Sequence, residues 1–137
     1  MSKIRIGIIG AGNISNCHIQ AYQKNPDVEV YALCDINEKQ LNDMAEKYQV
    51  KRTFTDVNEM LKLKELDAVS VCTWNSAHAS CTIAALNAGK HVLCEKPMSV
   101  SEEEAKTMKE AAEKNGKLLM IGFVRRHGND CKVLQDF

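Results

Sequence analysis

Six short apolar runs, rich in Val and Ile, alternate along this chain with longer segments of helical periodicity. Such alternation is the sequence form of repeated βαβ units around a parallel sheet. All the runs except the third are almost continuously apolar, as expected of strands that helices cover on both faces. We therefore predict a doubly wound parallel α/β sheet in three layers, α/β/α, with strands at Ile4–Ile9, Val28–Cys34, Thr53–Phe54, Ala68–Cys72, His91–Cys94 and Leu118–Gly122.

The segments between these runs carry helix boundary signals. Asn37, Asp56 and Ser101 each precede a helical pattern and can cap its N-terminus. Gly89 and Gly116 follow the last two patterns, where a left-handed residue often ends a helix. The predicted helices are Ile14–Lys24, Glu38–Tyr48, Val57–Leu63, Ala77–Ala88 and Glu102–Asn115.

Size and charge exclude several classes of partner. The chain has 137 residues, of which 45% are hydrophobic and 26% charged, so we expect one soluble core. Its 18 basic residues balance 18 acidic ones, which leaves no charge excess to attract nucleic acid or an anionic membrane. No apolar run approaches the length of a membrane span, and no signal-type cleavage site follows the N-terminus. We expect a cytoplasmic protein that binds small molecules.

The six cysteines include no C-x-x-C pair, so neither a zinc site nor a redox dithiol is indicated. Cys34, Cys72 and Cys94 lie in or beside apolar runs. We expect these three to pack as small, reduced hydrophobic side chains.

The first predicted strand runs directly into the loop Gly7-Ile-Ile-Gly10-Ala-Gly12-Asn13-Ile14-Ser15 and then into a helix. Gly10 permits a tight turn, and Gly12 lets the backbone approach a pyrophosphate at the helix N-terminus. Ser15 takes the third position of the G-x-G-x-x-G fingerprint and is small enough for helix–strand packing. The loop predicts a Rossmann dinucleotide site that is contacted by Gly10, Gly12, Asn13 and Ile14.

The second predicted strand ends at Asp35, 23 residues after Gly12. A carboxylate at this tip accepts hydrogen bonds from ribose hydroxyls and repels a 2′-phosphate, so NAD is favoured over NADP. Two alternatives stay open. Asp35 can serve only as a solvated or helix-capping residue, and Lys39 can offset a 2′-phosphate, which keeps NADP possible.

Polar segments also follow the fourth and fifth predicted strands, namely Thr73-Trp-Asn-Ser-Ala-His78 and Glu95-Lys96-Pro97. The carboxyl edge of an open parallel sheet holds the ligand crevice, so these residues are positioned for binding or chemistry. Asn75 and Ser76 can also cap the fourth helix. A lysine here can position a substrate hydroxyl or relay its proton, although an ordinary surface lysine is the alternative.

These motifs resemble the glucose-fructose oxidoreductase, inositol dehydrogenase and rhizopine-catabolism family, abbreviated Gfo/Idh/MocA. The family's usual T-P-N-x-x-H segment has Trp74 here in place of proline. The resemblance spans nearly all of this chain but only the N-terminal portion of a typical member. It implies a Rossmann domain over residues 1–123, the start of a connection over 124–137, and a substrate domain absent from this chain. It is carried by Gly10-Ala-Gly12, Asp35, Thr73 to His78, Glu95-Lys96-Pro97 and Gly122-Phe-Val-Arg-Arg126.

The resemblance also implies roles for single residues. Lys96 corresponds to the family's active-site lysine, followed by a peptide bond to Pro97 that is often cis, and Trp74 lies near the nicotinamide end. We assign His78 a structural or cofactor-edge role rather than that of a catalytic base. Arg125 and Arg126 are substrate candidates, with solvated charges as the alternative. The implied cofactor contacts are Thr73, Trp74, Asn75, His78, Glu95, Lys96 and Pro97.

The function implied by this resemblance is that of an NAD- or NADP-dependent oxidoreductase. Hydride would move between the nicotinamide and a hydroxyl carbon of a sugar, cyclitol or related polyol. This chain would be the cofactor-binding half, with little or no turnover alone, of a protein that forms a homo-oligomer at full length. Two alternatives stay open: an NAD-dependent glycosidase or dehydratase of the same fold, and a non-enzymatic nucleotide-sensing module.

Overall fold

Six strands form one parallel sheet. The computed structural model describes residues 2–129, 131 and 133. Within these residues the strand order is β3-β2-β1-β4-β5-β6, and every neighbouring pair is parallel. The chain reverses its direction of travel across the sheet between β1 and β4, which is the switch point where Rossmann sheets bind ligands. The strands are β1 Ile4–Ile9, β2 Val28–Cys34, β3 Arg52–Phe54, β4 Ala68–Val71, β5 His91–Cys94 and β6 Leu119–Ile121.

The helices begin and end at the predicted signals. Asn37, Asp56 and Ser101 each accept a hydrogen bond from a backbone N–H of the first turn that follows. Gly89 and Gly116 have positive φ angles of 77° and 60°, as left-handed residues beyond helix ends do. The helices are α1 Asn13–Gln23, α2 Glu38–Tyr48, α3 Val57–Leu61, α4 His78–Asn87 and α5 Glu102–Asn115. None of the described helices is long and apolar enough to cross a membrane.

Two hydrophobic clusters lie on opposite faces of the sheet. Ile19 of α1 and Leu41 of α2 pack in one cluster, whereas Met60 of α3, Leu86 of α4 and Met108 of α5 pack in the other. Each of these side chains is almost fully buried, and burial of one such side chain contributes about 1.5–3 kcal/mol. The predicted three-layer α/β/α architecture and the doubly wound Rossmann sheet are confirmed.

Some boundaries differ from the predicted ones. The fourth helix is preceded by a separate 3-10 turn, Asn75–Ala77, because the Ala77 N–H donates to the carbonyl of Trp74 three residues earlier. The third helix ends at Leu61 rather than Leu63, where the Leu63 N–H instead closes a turn onto Met60. The bounds of three strands and three helices differ from the predicted ones by one or two residues, as helix and strand ends commonly do; these are β3, β4, β6, α1, α3 and α4. Positions 130, 132 and 134–137 of the predicted connection lie outside the described residues.

The three cysteines in apolar runs are buried, as predicted. Cys34, Cys72 and Cys94 are 1%, 5% and 0% exposed. Burial raises the pKa of the Cys34 and Cys72 thiols to about 12 and that of Cys94 to about 11. At neutral pH all three are therefore uncharged and pack as small hydrophobic groups.

Candidate cofactor site

The turn between β1 and α1 fits tightly between the ends of β2 and β4, the two strands that flank β1. Gly10 has a φ angle of +98°, and a Cβ added there would lie 2.6 Å from the carbonyl oxygen of Cys72. The Gly10 N–H donates to the carbonyl oxygen of Cys34 at 2.8 Å. Both the backbone conformation and the close approach of the β4 end therefore require glycine at this position.

The next glycine faces open space. Gly12 is the N-terminal cap of α1, with extended backbone angles, and a Cβ added there would meet no atom within 4 Å. The first N–H groups of an α-helix have no partner within the helix and form the positive end of its dipole. Ser15 is fully buried, and its hydroxyl donates to the Gly12 carbonyl. The loop therefore leaves room and hydrogen-bond donors for a phosphate, as the fingerprint predicts.

Asp35 joins the end of β2 to the glycine loop. Its Oδ2 accepts a hydrogen bond from the Ala11 N–H at 2.6 Å, and its Oδ1 accepts one from the Asn37 N–H at 2.7 Å. Each carboxylate oxygen can accept about two hydrogen bonds, so capacity remains for ribose hydroxyls. The carboxylate thus holds the glycine loop and the start of the β2–α2 connection in place, and its contact with the ribose stays a prediction.

These features open onto one cleft of ≈ 700 Å³ at the switch point of the sheet. Such a volume is in the range of ligand sites, about 300–1,000 Å³. The predicted contacts that line it are Gly10, Gly12, Asn13, Ile14, Asp35, Thr73 and Trp74. Asn75, His78, Glu95, Lys96 and Pro97 lie outside this lining.

Trp74 lines the cleft together with residues of the β2–β3 side. Ile36, which follows Asp35, and Val57, which begins α3, line this cleft together with Trp74. The side chains of Ile36 and Trp74 are 89% and 86% exposed. Trp74 thus lies in the same cleft as the predicted phosphate and ribose contacts, and its position at the nicotinamide end stays a prediction.

His78 connects the loops that follow β4 and β5. It is 1% exposed, with Nδ1 2.7 Å from the carbonyl oxygen of Pro97 and Nε2 3.1 Å from that of Thr73. Both partners are carbonyl oxygens, so whichever ring nitrogen carries a proton donates to one of them. This arrangement supports a structural role for His78, since its ring has no free nitrogen for a catalytic base.

The segment after β5 is held in place by the buried carboxylate of Glu95. Glu95 is 8% exposed; its Oε1 lies 2.8 Å from His18 Nε2, and its Oε2 accepts the Lys96 N–H at 3.2 Å. A Cβ added at Gly122 would lie 3.4 Å from Glu95 Oε1, at ordinary van der Waals distance, so Gly122 packs against the carboxylate. The Lys96–Pro97 peptide bond is cis, and the Lys96 side chain is exposed at the sheet edge.

His18 is a site residue that sequence reasoning missed. It lies in α1, 77 residues before its partner Glu95, and a lone histidine in a helical pattern carries no signal of such a distant contact. Its ring nitrogen and the Glu95 carboxylate form a largely buried pair. The pair ties α1 to the segment that contains Lys96.

Three charged residues named from the sequence lie away from the cleft lining. Arg125 and Arg126 are exposed in a 3-10 turn, Val124–His127, and the Arg126 guanidinium lies 5.0 Å from the centre of the Phe123 ring. Lys39 pairs with Asp43 one turn along α2 at 2.9 Å, and this hydrogen bond raises the pKa of Lys39. Lys39 is thus engaged on its own helix.

Comparisons with known proteins agree with this geometry. The profile of the Gfo/Idh/MocA oxidoreductase family, described as having an NAD-binding Rossmann fold, matches residues 4–123. The chain is 38% identical over 136 residues to D-glucoside 3-dehydrogenase of Escherichia coli, covering 98% of this chain and 39% of that protein. It is 35% identical over 133 residues to myo-inositol 2-dehydrogenase of Thermotoga maritima, covering 97% and 40%.

A solved structure extends the comparison. The WlbA dehydrogenase from Bordetella pertussis, in complex with NADH and UDP-GlcNAcA, matches with a TM-score of 0.93 and 30% identity over 98% of this chain and 41% of that chain. The chain thus spans about 40% of the length of the relatives that it matches. The matched residues contain the whole sheet, the glycine loop and the cleft. The chain belongs to the Gfo/Idh/MocA oxidoreductase family, and it carries the NAD-binding Rossmann fold of that family.

Proposed function

We propose that the protein containing this domain is an NAD-dependent oxidoreductase that acts on a hydroxyl group of a sugar, cyclitol or related polyol. Residues 1–123 hold the cofactor, and residues 124–137 begin the connection to a substrate domain. The observation that carries the proposal is that Lys96 follows β5, the strand beside β4, whose loop lines the cofactor cleft. The names of the two dehydrogenase relatives support the substrate class.

The cofactor side of the proposal rests on the residues of the cleft. When bound, the nicotinamide accepts or returns the hydride of the substrate carbon. The free N–H groups at the start of α1 hold the pyrophosphate in the space beside Gly12. Asp35, already oriented by two backbone N–H groups, accepts hydrogen bonds from the adenosine ribose and disfavours a 2′-phosphate.

The substrate side rests on Lys96. In its unprotonated form the Lys96 amine, on its flexible stem, can accept the proton of the substrate hydroxyl while hydride leaves the carbon, and the ammonium that results can pass this proton to solvent. The backbone on both sides of Lys96 is fixed, because Glu95 accepts the Lys96 N–H and His78 contacts the Pro97 carbonyl. Such fixation lowers the cost of aligning the reacting groups.

The test uses the full-length protein encoded with this domain and a panel of cyclitols and glucosides, with NADH formation followed at 340 nm. Lys96→Met should lower kcat by about 10²–10⁴-fold, the usual contribution of a positioned proton-transfer group, without weakening NADH binding. Lys64→Met is the matched control, since Lys64 is another exposed lysine, located before β4. The 137-residue chain alone should bind NADH with little or no turnover.

Two outcomes would contradict the proposal. One is the absence of net NAD reduction with every polyol, accompanied by hydrolysis or elimination products. The other is a Lys96→Met variant with the activity of the Lys64→Met control.

A further inference from the structure

A buried carboxylate directly precedes the exposed lysine at the end of β5. Both oxygens of Glu95 have partners: Oε2 accepts the Lys96 N–H at 3.2 Å, and Oε1 lies 2.8 Å from His18 Nε2. An ionised carboxylate only accepts hydrogen bonds, so His18 Nε2 carries a proton and donates it. One carboxylate therefore links the imidazole of His18 to the backbone of Lys96.

The carboxylate depends on the imidazole for its position. His18 is the one basic side chain that pairs with Glu95 among residues 2–129, 131 and 133, and both members of the pair are largely buried. A buried charge without a partner is costly. If the imidazole were removed, the carboxylate would turn toward water and give up its hydrogen bond with the Lys96 N–H. The position of the Lys96 backbone therefore depends on His18.

The helix that carries His18 begins at the proposed phosphate site. Gly12 caps the N-terminus of α1, and His18 follows it by six residues, which corresponds to about 9 Å along a helix. The hydrogen bonds within the helix fix this distance. α1 and the pair of His18 and Glu95 thus form one continuous connection from the pyrophosphate site to the backbone of Lys96.

The other side of Lys96 has an anchor of its own. The Pro97 carbonyl oxygen lies 2.7 Å from Nδ1 of His78, which is buried. A segment held at one point can rotate about that point, whereas two anchors fix it. Loss of the contact through Glu95 would therefore leave the Lys96 segment free to rotate about the Pro97 contact.

We propose that His18 is a positioning residue that acts through Glu95 to align Lys96 with the cofactor held at the start of α1. The inference rests on the proposed function, in which Lys96 accepts the proton of the substrate hydroxyl. The role requires only that the imidazole donate to Glu95, so no proton passes through His18. A misplacement of about 1 Å can cost about 10²-fold in rate. Loss of the donor should therefore lower kcat and leave the affinity for the cofactor unchanged.

Two amide substitutions at His18 test this role in the full-length protein encoded with this domain. The terminal nitrogen of glutamine takes the place of the imidazole Nε2, whereas the asparagine side chain is one methylene shorter and too short to reach Glu95. His18→Asn should lower kcat for NADH formation with a polyol by about 10- to 100-fold without weakening NADH binding. His18→Gln should retain most of the wild-type kcat.

Tyr22→Phe is the matched control for stability. Tyr22 lies one helical turn after His18 in α1, and its hydroxyl is 2.6 Å from the Ser70 hydroxyl in β4. The variant loses a part-buried hydrogen bond of the same helix and leaves the Glu95 carboxylate untouched. It should lower the urea midpoint of unfolding, as His18→Asn should, but keep the wild-type kcat when both variants are assayed well below their midpoints.

Equal kcat values for His18→Asn and Tyr22→Phe would overturn the role of His18. An equal loss of kcat in His18→Asn and His18→Gln would also overturn it, because the second variant keeps the donor. Absence of NADH formation by the wild-type protein would instead contradict the proposed function. The two failures are therefore distinguishable.

Discussion

Gly10 and Gly12 lie two residues apart in one loop, yet the structure predicts different consequences for the same substitution. In Gly10→Ala, the new methyl group would lie 2.6 Å and 2.7 Å from the carbonyl oxygen and carbon of Cys72. Cβ atoms essentially never approach another heavy atom within 3.0 Å, and both of these contacts are shorter. Both are made with backbone atoms of Cys72. A side-chain rotation cannot relieve them, so the β1–α1 turn or the end of β4 must move.

The magnitude follows from two terms. A left-handed conformation costs a residue with a Cβ about 1–2 kcal/mol, and Gly10 has φ of +98°. Forcing an extra carbon into packed surroundings costs about 1–3 kcal/mol. The free energy of unfolding should therefore fall by about 2–5 kcal/mol, which for a domain of this size lowers Tm by about 8–20 °C.

Gly12→Ala is the matched control for folding. Its backbone is extended with φ of −80°, and its Cβ would meet open space. Alanine is a poorer N-terminal cap than glycine, but it also reduces the entropy of the unfolded chain, and these effects are opposite and each about 0.5–1 kcal/mol. Stability should change little, while the methyl group occupies the space proposed for the phosphates and weakens NADH binding at least about tenfold.

Urea denaturation and calorimetric NADH titration of both variants provide the assay. We expect a large loss of stability in Gly10→Ala and a loss of affinity without loss of stability in Gly12→Ala. Equal unfolding midpoints for Gly10→Ala and wild type would refute the reasoning about the Cys72 contact. Undiminished NADH binding in Gly12→Ala would refute the position of the phosphate.

Three further predictions concern buried polar groups. Glu95→Gln removes the charged partner of His18 and should lower the free energy of unfolding, measured by urea denaturation, by about 2 kcal/mol. Unchanged stability would mean that the pair of His18 and Glu95 contributes nothing to folding. His78→Phe leaves the Thr73 and Pro97 carbonyls unpaired and should cost about 2–4 kcal/mol, a loss that His78→Gln should partly recover. At pH 8 Ellman's reagent should react readily with the exposed Cys17 but with the three buried cysteines only after unfolding. Because the pKa values of these buried thiols are raised to about 11 to 12, their contribution to stability is present below pH 9 and is lost as pH rises toward 12. Rapid reaction of all thiols with Ellman's reagent at pH 8 would contradict the burial of these three cysteines.

Local signals made much of the fold predictable. The period of the apolar residues located all six strands and all five helices, and cap residues such as Asn37 and Ser101 identified helix ends to within a residue or two. The glycine fingerprint and the spacing to Asp35 indicated the switch point before any topology was known. The periods and caps depend on neighbours within a few residues, and the glycine-to-Asp35 spacing is fixed along the chain, which is why sequence alone reveals them.

Contacts between distant segments could not be predicted. The hydrogen bond from the Ala11 N–H to Asp35 spans 24 residues, and the pair of His18 with Glu95 spans 77. Both depend on how β2 and β5 are arranged around β1, which no single segment encodes. The grouping of Trp74 with Ile36 was missed for the same reason, since it requires the β2 and β4 ends to face one cleft.

Calorimetric titration of the 137-residue chain with NADH and with NADPH tests whether the cleft is an NAD site. The two ligands differ by the 2′-phosphate, which would lie beside the Asp35 carboxylate. We expect one NADH site per chain and an affinity for NADPH at least about tenfold lower. Absence of NADH binding, or equal affinities for the two cofactors, would contradict the assignment of the glycine loop and Asp35 as an NAD site.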